Sequence, residues 1–449
     1  MDRDAIDFGT ADVKALFRKL FIPTVLGMLS LSAVTAADGI FVGRGVGSDG
    51  IAAINICVPL WMIFTGLGLM MGVGCSVVAS IHLARGKEKA ARINITQAFL
   101  FVTLLTVVLT VLILGFARPL ARLLGASERL MPQVIGYMVW IFPSMLFQLW
   151  TTVGLFVLRL DGAPKLAMWC SVVSGAINVV LDWLFIFPLG MGVKGAAIAT
   201  AISIVAGGLI VVLYLLFFAR RLRFYRLKTS LKSLRLSLRN IGYQCRVGSS
   251  ALLGELTLAV LMFAGNLTFV HYLGDDGVGA FGIACYYIPF VFMIGNAIAQ
   301  SAQPIWSYNY GAGNASRVRQ ALRLVLRTAV FCGACTTALF VLAPQMLVGL
   351  FIPLDVPAAR IAVGGFPLFA VGFVCFVLNL VLIGYNQSLE RVRAATGLAL
   401  LRGALFLVPA FLLLPRLLGT PGIWLAMPLS EVATTTVALL VRAGGRRRG

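Results

Sequence analysis

Twelve long apolar segments run the length of the chain and decide most of what it can fold into. They cover about 16–41, 51–83, 93–117, 131–157, 166–187, 195–219, 245–273, 278–306, 322–346, 357–385, 394–415 and 421–441. Roughly 20 apolar residues suffice for a helix to cross a bilayer. In lipid, a helix satisfies its own backbone within one segment. The expected fold is therefore an all-α membrane protein with twelve transmembrane helices and short loops. Composition points the same way: 60% of the 449 residues are hydrophobic and 12% charged, with mean hydropathy +0.97. Soluble domains carry about twice that share of charge. Hydrophobicity excludes intrinsic disorder, and 8 cysteines in 449 residues exclude a small disulfide scaffold.

The formal net charge is +21, which in a soluble protein would direct attention to nucleic acid. Position decides otherwise. With the N-terminus inside, the inner loops and tails hold 29 of the 37 Lys and Arg residues, the outer loops hold 7, and Arg402 lies within a span. Nine fall in one loop, 220–246: Arg220, Arg221, Arg223, Arg226, Lys228, Lys232, Arg235, Arg239 and Arg246. This bias places both termini in the cytoplasm and assigns the basic charge to topology and anionic headgroups, with no nucleic-acid partner. Asp2, Asp4, Asp7 and Asp12 precede a first apolar stretch long enough to span, so no cleavable signal peptide is expected. Cys332 and Cys335 form a C-x-x-C inside a span beside Gly333 and Ala334, a setting for close packing, with no metal site expected there. The Asn-x-Ser/Thr triplets at Asn94, Asn266 and Asn314 fall inside or within spans and are discounted as glycosylation sites.

The chain repeats itself. Gly47, Asp49, Gly50, Ala53, Ile56, Gly68, Gly86 and Arg92 recur as Gly274, Asp276, Gly277, Ala280, Ile283, Gly295, Gly313 and Arg319, at an offset of 227. The same offset carries Pro188, Gly192, Gly195, Ala199 and Ser203 onto Pro415, Gly419, Gly422, Ala426 and Ser430. Two distant blocks at one offset point to a duplicated six-span unit. Each half starts inside, so the halves are parallel repeats related by an axis along the membrane normal, an arrangement typical of transporters. The expected division is an N-terminal lobe over 1–225 (spans one to six), a basic cytoplasmic linker over 226–244, and a C-terminal lobe over 245–449 (spans seven to twelve).

Four acids lie within apolar segments: Asp38, Asp182, Glu255 and Glu431. An ionisable group at such depth costs roughly 2.5–3.5 kcal/mol on insertion scales and marks a functional site by default. Asp38 lies six residues before Arg44, Asp182 six before Pro188, and Thr200 six after Lys194, all outer markers. At about 1.5 Å per residue, all three sit at a similar depth, roughly 9 Å below the outer boundary. Asn178, four residues before Asp182, shares its helical face. Two carboxylates, an amide and a hydroxyl at one depth suit a hard cation such as Na⁺, or a shared proton. At the repeat offset these four positions become Gly265, Leu405, Pro409 and Met427. Polarity present in one half alone points to coupling and away from packing. Two readings of Glu255, with its neighbour Thr257, stay open: lining a path, or pairing structurally. Arg402 and Glu431 read as a buried ion pair. His82 and His271 lie near span ends. Pro23, inside span one, permits a bend there, static or mobile.

At these residues the sequence resembles the multidrug and toxic compound extrusion (MATE) transporters, over essentially the whole chain. The likeness rests on Pro23, on Asp38 through Arg44, on Asn178 through Asp182 and Gly192 through Thr200, on Gln303 through Ala312, and on Gly419 through Ala426. It implies two six-helix lobes around a central cavity. It also implies export of amphipathic, often cationic compounds by antiport with H⁺ or Na⁺, without cofactor or enzymatic activity. It assigns Asp38, Asn178, Asp182 and Thr200 to the family's N-lobe cation site and Pro23 to the bend of helix one. Glu255 is similar to a C-lobe acid of another branch, and Glu255, Thr257 and Gln303 become candidates for a cavity or path. That branch also has an acid in helix ten, whereas 357–385 contains none, so coupling is placed in the N lobe. The implied setting is a bacterial inner membrane, with drug-like substrates and a monomer. The alternative is a lipid-linked precursor flippase of the same superfamily. It needs a cavity basic enough for pyrophosphate, and the only candidate is Arg402, offset by Glu431, since the other arginines lie at span ends. A channel or membrane enzyme finds no filter-like repeat, metal cluster or nucleophile–base pair.

Overall fold

The structure, a computed structural model, describes residues 7–228 and 230–446; Asp2, Asp4 and Thr229 lie outside these. Eleven helices among them are long and apolar enough to cross a membrane, and one bent pair completes a twelfth span. In chain order they are α1 (Val13–Gly45), α2 (Ser48–Ala84), α3 (Glu88–Gly115), α4 (Met131–Leu160), α5 (Pro164–Ile186), α6 (Gly192–Phe218), α7 (Leu231–Gly274) and α8 (Gly279–Gly311). The last four are α9 (Ala315–Leu342), α10 (Pro357–Ala370 and Phe373–Ser388, bent by 49°), α11 (Val392–Leu418) and α12 (Thr420–Arg446). α1 opens on Asp12, whose side chain accepts the Ala15 N–H, and runs unbroken through the buried Pro23.

The repeat explains its own residues. Three glycine pairs at the 227 offset, Gly47 with Gly274, Gly86 with Gly313 and Gly192 with Gly419, all hold positive φ, between 58° and 91°. They sit at matching helix ends in the two halves. Side chains resist that backbone, and glycine does not. The turns therefore preserve their sequence while the helix faces between them diverge.

The chain divides into two compact units: residues up to Leu252 with Ser307–Asn314, and Leu253–Trp306 with Ala315 onward. In the first unit α1 packs on α5, α5 and α4 on α6, and α2 on α3 and α4. In the second, α9 packs on α10, and α12 packs on α10 and α11.

The segment after α6 is folded onto the first unit. α6 ends in a wide turn, with the Ala219 N–H donating to the Tyr214 carbonyl at 2.8 Å. Asp161, in the α4–α5 turn, then accepts the Tyr214 hydroxyl at 2.7 Å and the backbone N–H groups of Arg220, Arg221 and Leu222 at 3.1 Å each. One carboxylate thus gathers the start of a strongly basic run. Beyond it, the Tyr225 N–H donates to Thr96 Oγ1 at 2.9 Å and Arg92 Nε to the Arg221 carbonyl at 2.7 Å, while Phe224 meets Phe99 edge-on. α7 begins at Leu231, well before the apolar segment expected from about 245. Its first turns escape a hydropathy reading because leucines alternate there with polar and basic residues.

Candidate functional site

Small residues bring α1 and α5 together. A Cβ on Gly175 would fall 2.5 Å from Val34 Cγ2, and one on Gly45 would fall 2.2 Å from Ile186 Cγ2. These two close approaches, on either side of Asp38 and Asp182, leave the carboxylates facing one another, with Asn178 on the same side and Tyr137 and Cys57 adjoining. Asp182 is 0% exposed and Asn178 3%, while Asp38 and Thr200 are half-buried. Asn178 Nδ2 donates to Thr200 Oγ1 at 3.2 Å, which ties α5 to α6. The four residues matched by depth in the sequence therefore converge, each from its own position on α1, α5 or α6.

The electrostatics of this cluster are unfinished. Neither carboxylate oxygen of Asp182 makes a hydrogen bond of ordinary geometry, nor does Asp38 Oδ1, although the Asp38 carboxyl and the Asn178 amide adjoin Asp182. Among the described residues no Lys, Arg or His pairs with either acid. Two acids in a low-dielectric site without counter-charge call for a proton or a cation. The oxygens available are two carboxylates, an amide and a hydroxyl, a donor set of the hard type. Val42, Ile186 and Ala196 pack together, supported by Phe41, Val46 and Ile54. Each of the three lies one turn from Asp38, Asp182 or Thr200 toward the Arg44, Pro188 and Lys194 end of its helix, so an apolar layer covers the site at that end.

The sequence reading missed Tyr137 and Cys57. Tyr137 is buried in α4, where an aromatic residue within an apolar segment reads as core. Pro23 is buried in α1, and the neighbouring Thr24 hydroxyl donates to the Leu20 carbonyl at 2.8 Å, one turn back.

The second unit treats its acids differently. Arg402 Nε donates to Glu431 Oε1 at 2.7 Å, with both side chains almost fully buried. Asn379 Nδ2 donates to Glu431 Oε2 at 2.7 Å and to its carbonyl at 2.9 Å, and the Thr435 hydroxyl donates to Asn379 Oδ1 at 2.9 Å. The guanidinium lies 4.2 Å from the centre of the Phe376 ring. A wide turn at Leu401–Leu405, closed by the Phe406 N–H on the Leu401 carbonyl, carries Arg402. Asn379 was legible by the rule that found the acids, as a lone amide inside an apolar segment. Glu255 is half-buried on α7, and among the described residues no donor or cation reaches its carboxylate. Thr257 is buried, donates to the Leu253 carbonyl at 2.8 Å and lies against Gly403; Gln303 is buried in α8. His82 lies in the last turn of α2, and the exposed His271 stacks edge-on against Tyr272.

Positions that match the N-lobe cluster are apolar here. Gly265 stands where Asp38 would fall, and the ring of Phe281 fills its place: a Cβ on Gly265 would lie 2.2 Å from Phe281 Cζ. Phe281 stacks on Phe269 with centroids 4.6 Å apart, and Phe269 meets Trp424 at 4.8 Å. Met427, opposite Thr200 in the repeat, is buried. Among the described residues no three His, Cys, Asp or Glu side chains gather as metal ligands.

A single family model, MatE, matches the chain twice, at residues 23–184 and 251–412. The two matches have equal length, and their starts lie within a residue of the repeat offset. The multidrug export protein MepA of Staphylococcus aureus (strain NCTC 8325) is 25% identical over 434 residues, covering 94% of this chain and 91% of its own. Among solved structures, a mutant of the Vibrio cholerae MATE transporter VcmN superposes with TM-score 0.89 at 20% identity, covering 97% of this chain and 98% of its own. A MOP superfamily transporter from Pyrococcus furiosus, whose binding pocket of reversed polarity is said to suggest a different function, superposes with TM-score 0.87 at 22% identity, covering 98% and 96%. These likenesses establish the twelve-helix fold.

Proposed function

The chain belongs to the MatE family, and from that premise we propose that it is a secondary active exporter of amphipathic organic cations, driven by H⁺ or Na⁺ taken up at Asp38 and Asp182. It is a multi-pass membrane transporter and not an enzyme. The observation that carries the coupling assignment is Asp182, fully buried, facing a second acid, with neither oxygen in a hydrogen bond of ordinary geometry. The export of drugs by the S. aureus relative supports the substrate class.

The cation occupies the space among Asp38, Asp182, Asn178 and Thr200 and discharges the pair. Loading and unloading favour different states of the N lobe, and substrate favours the unloaded one. The force of the coupling is the difference in affinity between those states and nothing more. Release to the outside requires the Val42–Ile186–Ala196 layer to part. Pro23 weakens α1 at one point, where no N–H can close the turn, and serves as the hinge. Glu255, Thr257 and Gln303 border the substrate path. The protein acts as a monomer in a bacterial inner membrane with both termini cytoplasmic, in line with 29 of 37 basic residues on the inner side. A flippase for lipid-linked pyrophosphates would need an uncompensated cation within the membrane, and the charge of Arg402 is offset by Glu431 through Nε.

The test is efflux of a fluorescent organic cation from proteoliposomes under an imposed Na⁺ gradient and, separately, a pH gradient. Efflux should follow one gradient and vanish in Asp38→Asn at equal protein level. Unchanged efflux in that variant would refute the assignment.

A further inference from the structure

The start of α7 carries three side-chain stripes at helical spacing. Ser233, Ser237, Asn240 and Gln244 form one, Leu231, Leu234 and Leu238 a second, and Lys232, Arg235, Arg239 and Arg246 a third. The first stripe faces the protein. Gln97 Nε2 donates to Ser237 Oγ at 2.8 Å, Asn240 Nδ2 donates to Gln97 Oε1 at 3.3 Å, and Gln244 Nε2 donates to Asn94 Oδ1 at 2.8 Å. The backbones are close as well, since a Cβ on Gly74 would lie 2.0 Å from the Gln244 carbonyl oxygen. This helix is inverted relative to a soluble one: its polar side turns to the protein, half-buried at Ser233, Ser237 and Asn240 and buried at Gln244, and its leucines face out. Leu231 is 87% exposed, Leu234 56% and Leu238 63%, and Lys232, Arg235 and Arg239 are exposed beside them.

Farther along α7, a Cβ on Gly248 would lie 1.8 Å from the Met70 carbonyl oxygen of α2, so the polar stripe rests against α2 and α3. α7 has 44 residues, about twice what the hydrocarbon core requires, so these first turns are not needed to span. The basic run of Arg220, Arg221, Arg223 and Arg226, tethered by Asp161, enters the same region.

We propose that α7 between Leu231 and Arg246 is a docking surface for anionic phospholipid headgroups of the leaflet on its side. Leu231, Leu234 and Leu238 enter the acyl boundary, and Lys232, Arg235 and Arg239 pair with the phosphates. An apolar stripe bordered by a basic one is what binds a helix into an anionic interface. The polar stripe does not compete for lipid, because Ser237, Asn240 and the Gln244 amide nitrogen are turned to Gln97 and Asn94. The proposal does not depend on which ion drives transport.

The experiment is hydrogen exchange, read by mass spectrometry, on the full-length protein reconstituted in phosphatidylcholine and in phosphatidylglycerol vesicles. Amides of 231–243 should exchange about tenfold slower in phosphatidylglycerol, a conservative share of what three basic residues contribute at such a surface. The triple change Lys232→Gln, Arg235→Gln and Arg239→Gln should abolish that lipid dependence. Leu234→Ser with Leu238→Ser should speed exchange in both lipids. Equal exchange of the wild type in the two lipids would overturn the proposal without recourse to any variant. So would protection that follows protein density and ignores lipid charge, which would identify a second copy as the occupant.

Discussion

The two halves of the molecule place acids in the membrane on opposite terms. In the first, Asp38 and Asp182 face each other and neither oxygen of Asp182 makes a hydrogen bond of ordinary geometry. In the second, Glu431 accepts from Arg402 and Asn379 within 2.7 Å, and the matching positions are closed by Phe281 against Gly265. The first acid pair needs something from outside the chain, and the second acid has everything it needs within it. Both halves keep the same glycine turns, while the polar residues of the first half are absent from the matching positions of the second.

The largest expected effect is on transport. Asp182→Asn should reduce efflux to the level of protein-free vesicles while leaving the folded protein at wild-type yield, because the amide keeps the volume and removes the charge. Next is a stability effect in the other half. Arg402→Met leaves Glu431 buried and unpaired and should cost about 3–5 kcal/mol, read as a fall in melting temperature in detergent. Adding Glu431→Leu to it should recover most of that loss, since removing both partners of a buried pair is often close to neutral. If the double variant transports, the pair is a strut.

Smaller effects sharpen the contrast. Gly265→Ala forces its methyl onto Phe281 and should destabilise by roughly 1–3 kcal/mol, as overpacked cores do, with coupling to the ion unchanged. Asn178→Ala removes one neutral hydrogen bond, worth about 1 kcal/mol. It should weaken cation affinity several-fold without abolishing transport, as measured by the ion dependence of efflux.

Much of this contrast was readable before the coordinates. Helices in lipid have a fixed rise and a fixed thickness to cross, so counting from Arg44, Pro188 and Lys194 brought Asp38, Asp182 and Thr200 to one depth, and in the structure they meet. The repeat was readable because its turns demand positive φ at Gly47, Gly86 and Gly192 and their partners. The start of α7 was not, because hydropathy averages Leu231, Leu234 and Leu238 with the arginines between them. The spacing of Ser233, Ser237, Asn240 and Gln244 carried the signal instead. Tyr137 was hidden because an aromatic residue within an apolar segment reads as core, and Asp161 because its partners are backbone groups some sixty residues on. Such tertiary contacts have no local period.

The most direct measurement counts cations displaced when a fluorescent organic cation binds to the purified protein. Protons are followed in unbuffered solution, and sodium with a radioactive tracer. The expected result is displacement of one of these ions in the wild type and in Glu431→Leu with Arg402→Met, and no displacement in Asp182→Asn. Displacement that persists in Asp182→Asn, or that disappears only when Glu431 is changed, would contradict the placement of coupling in the first half.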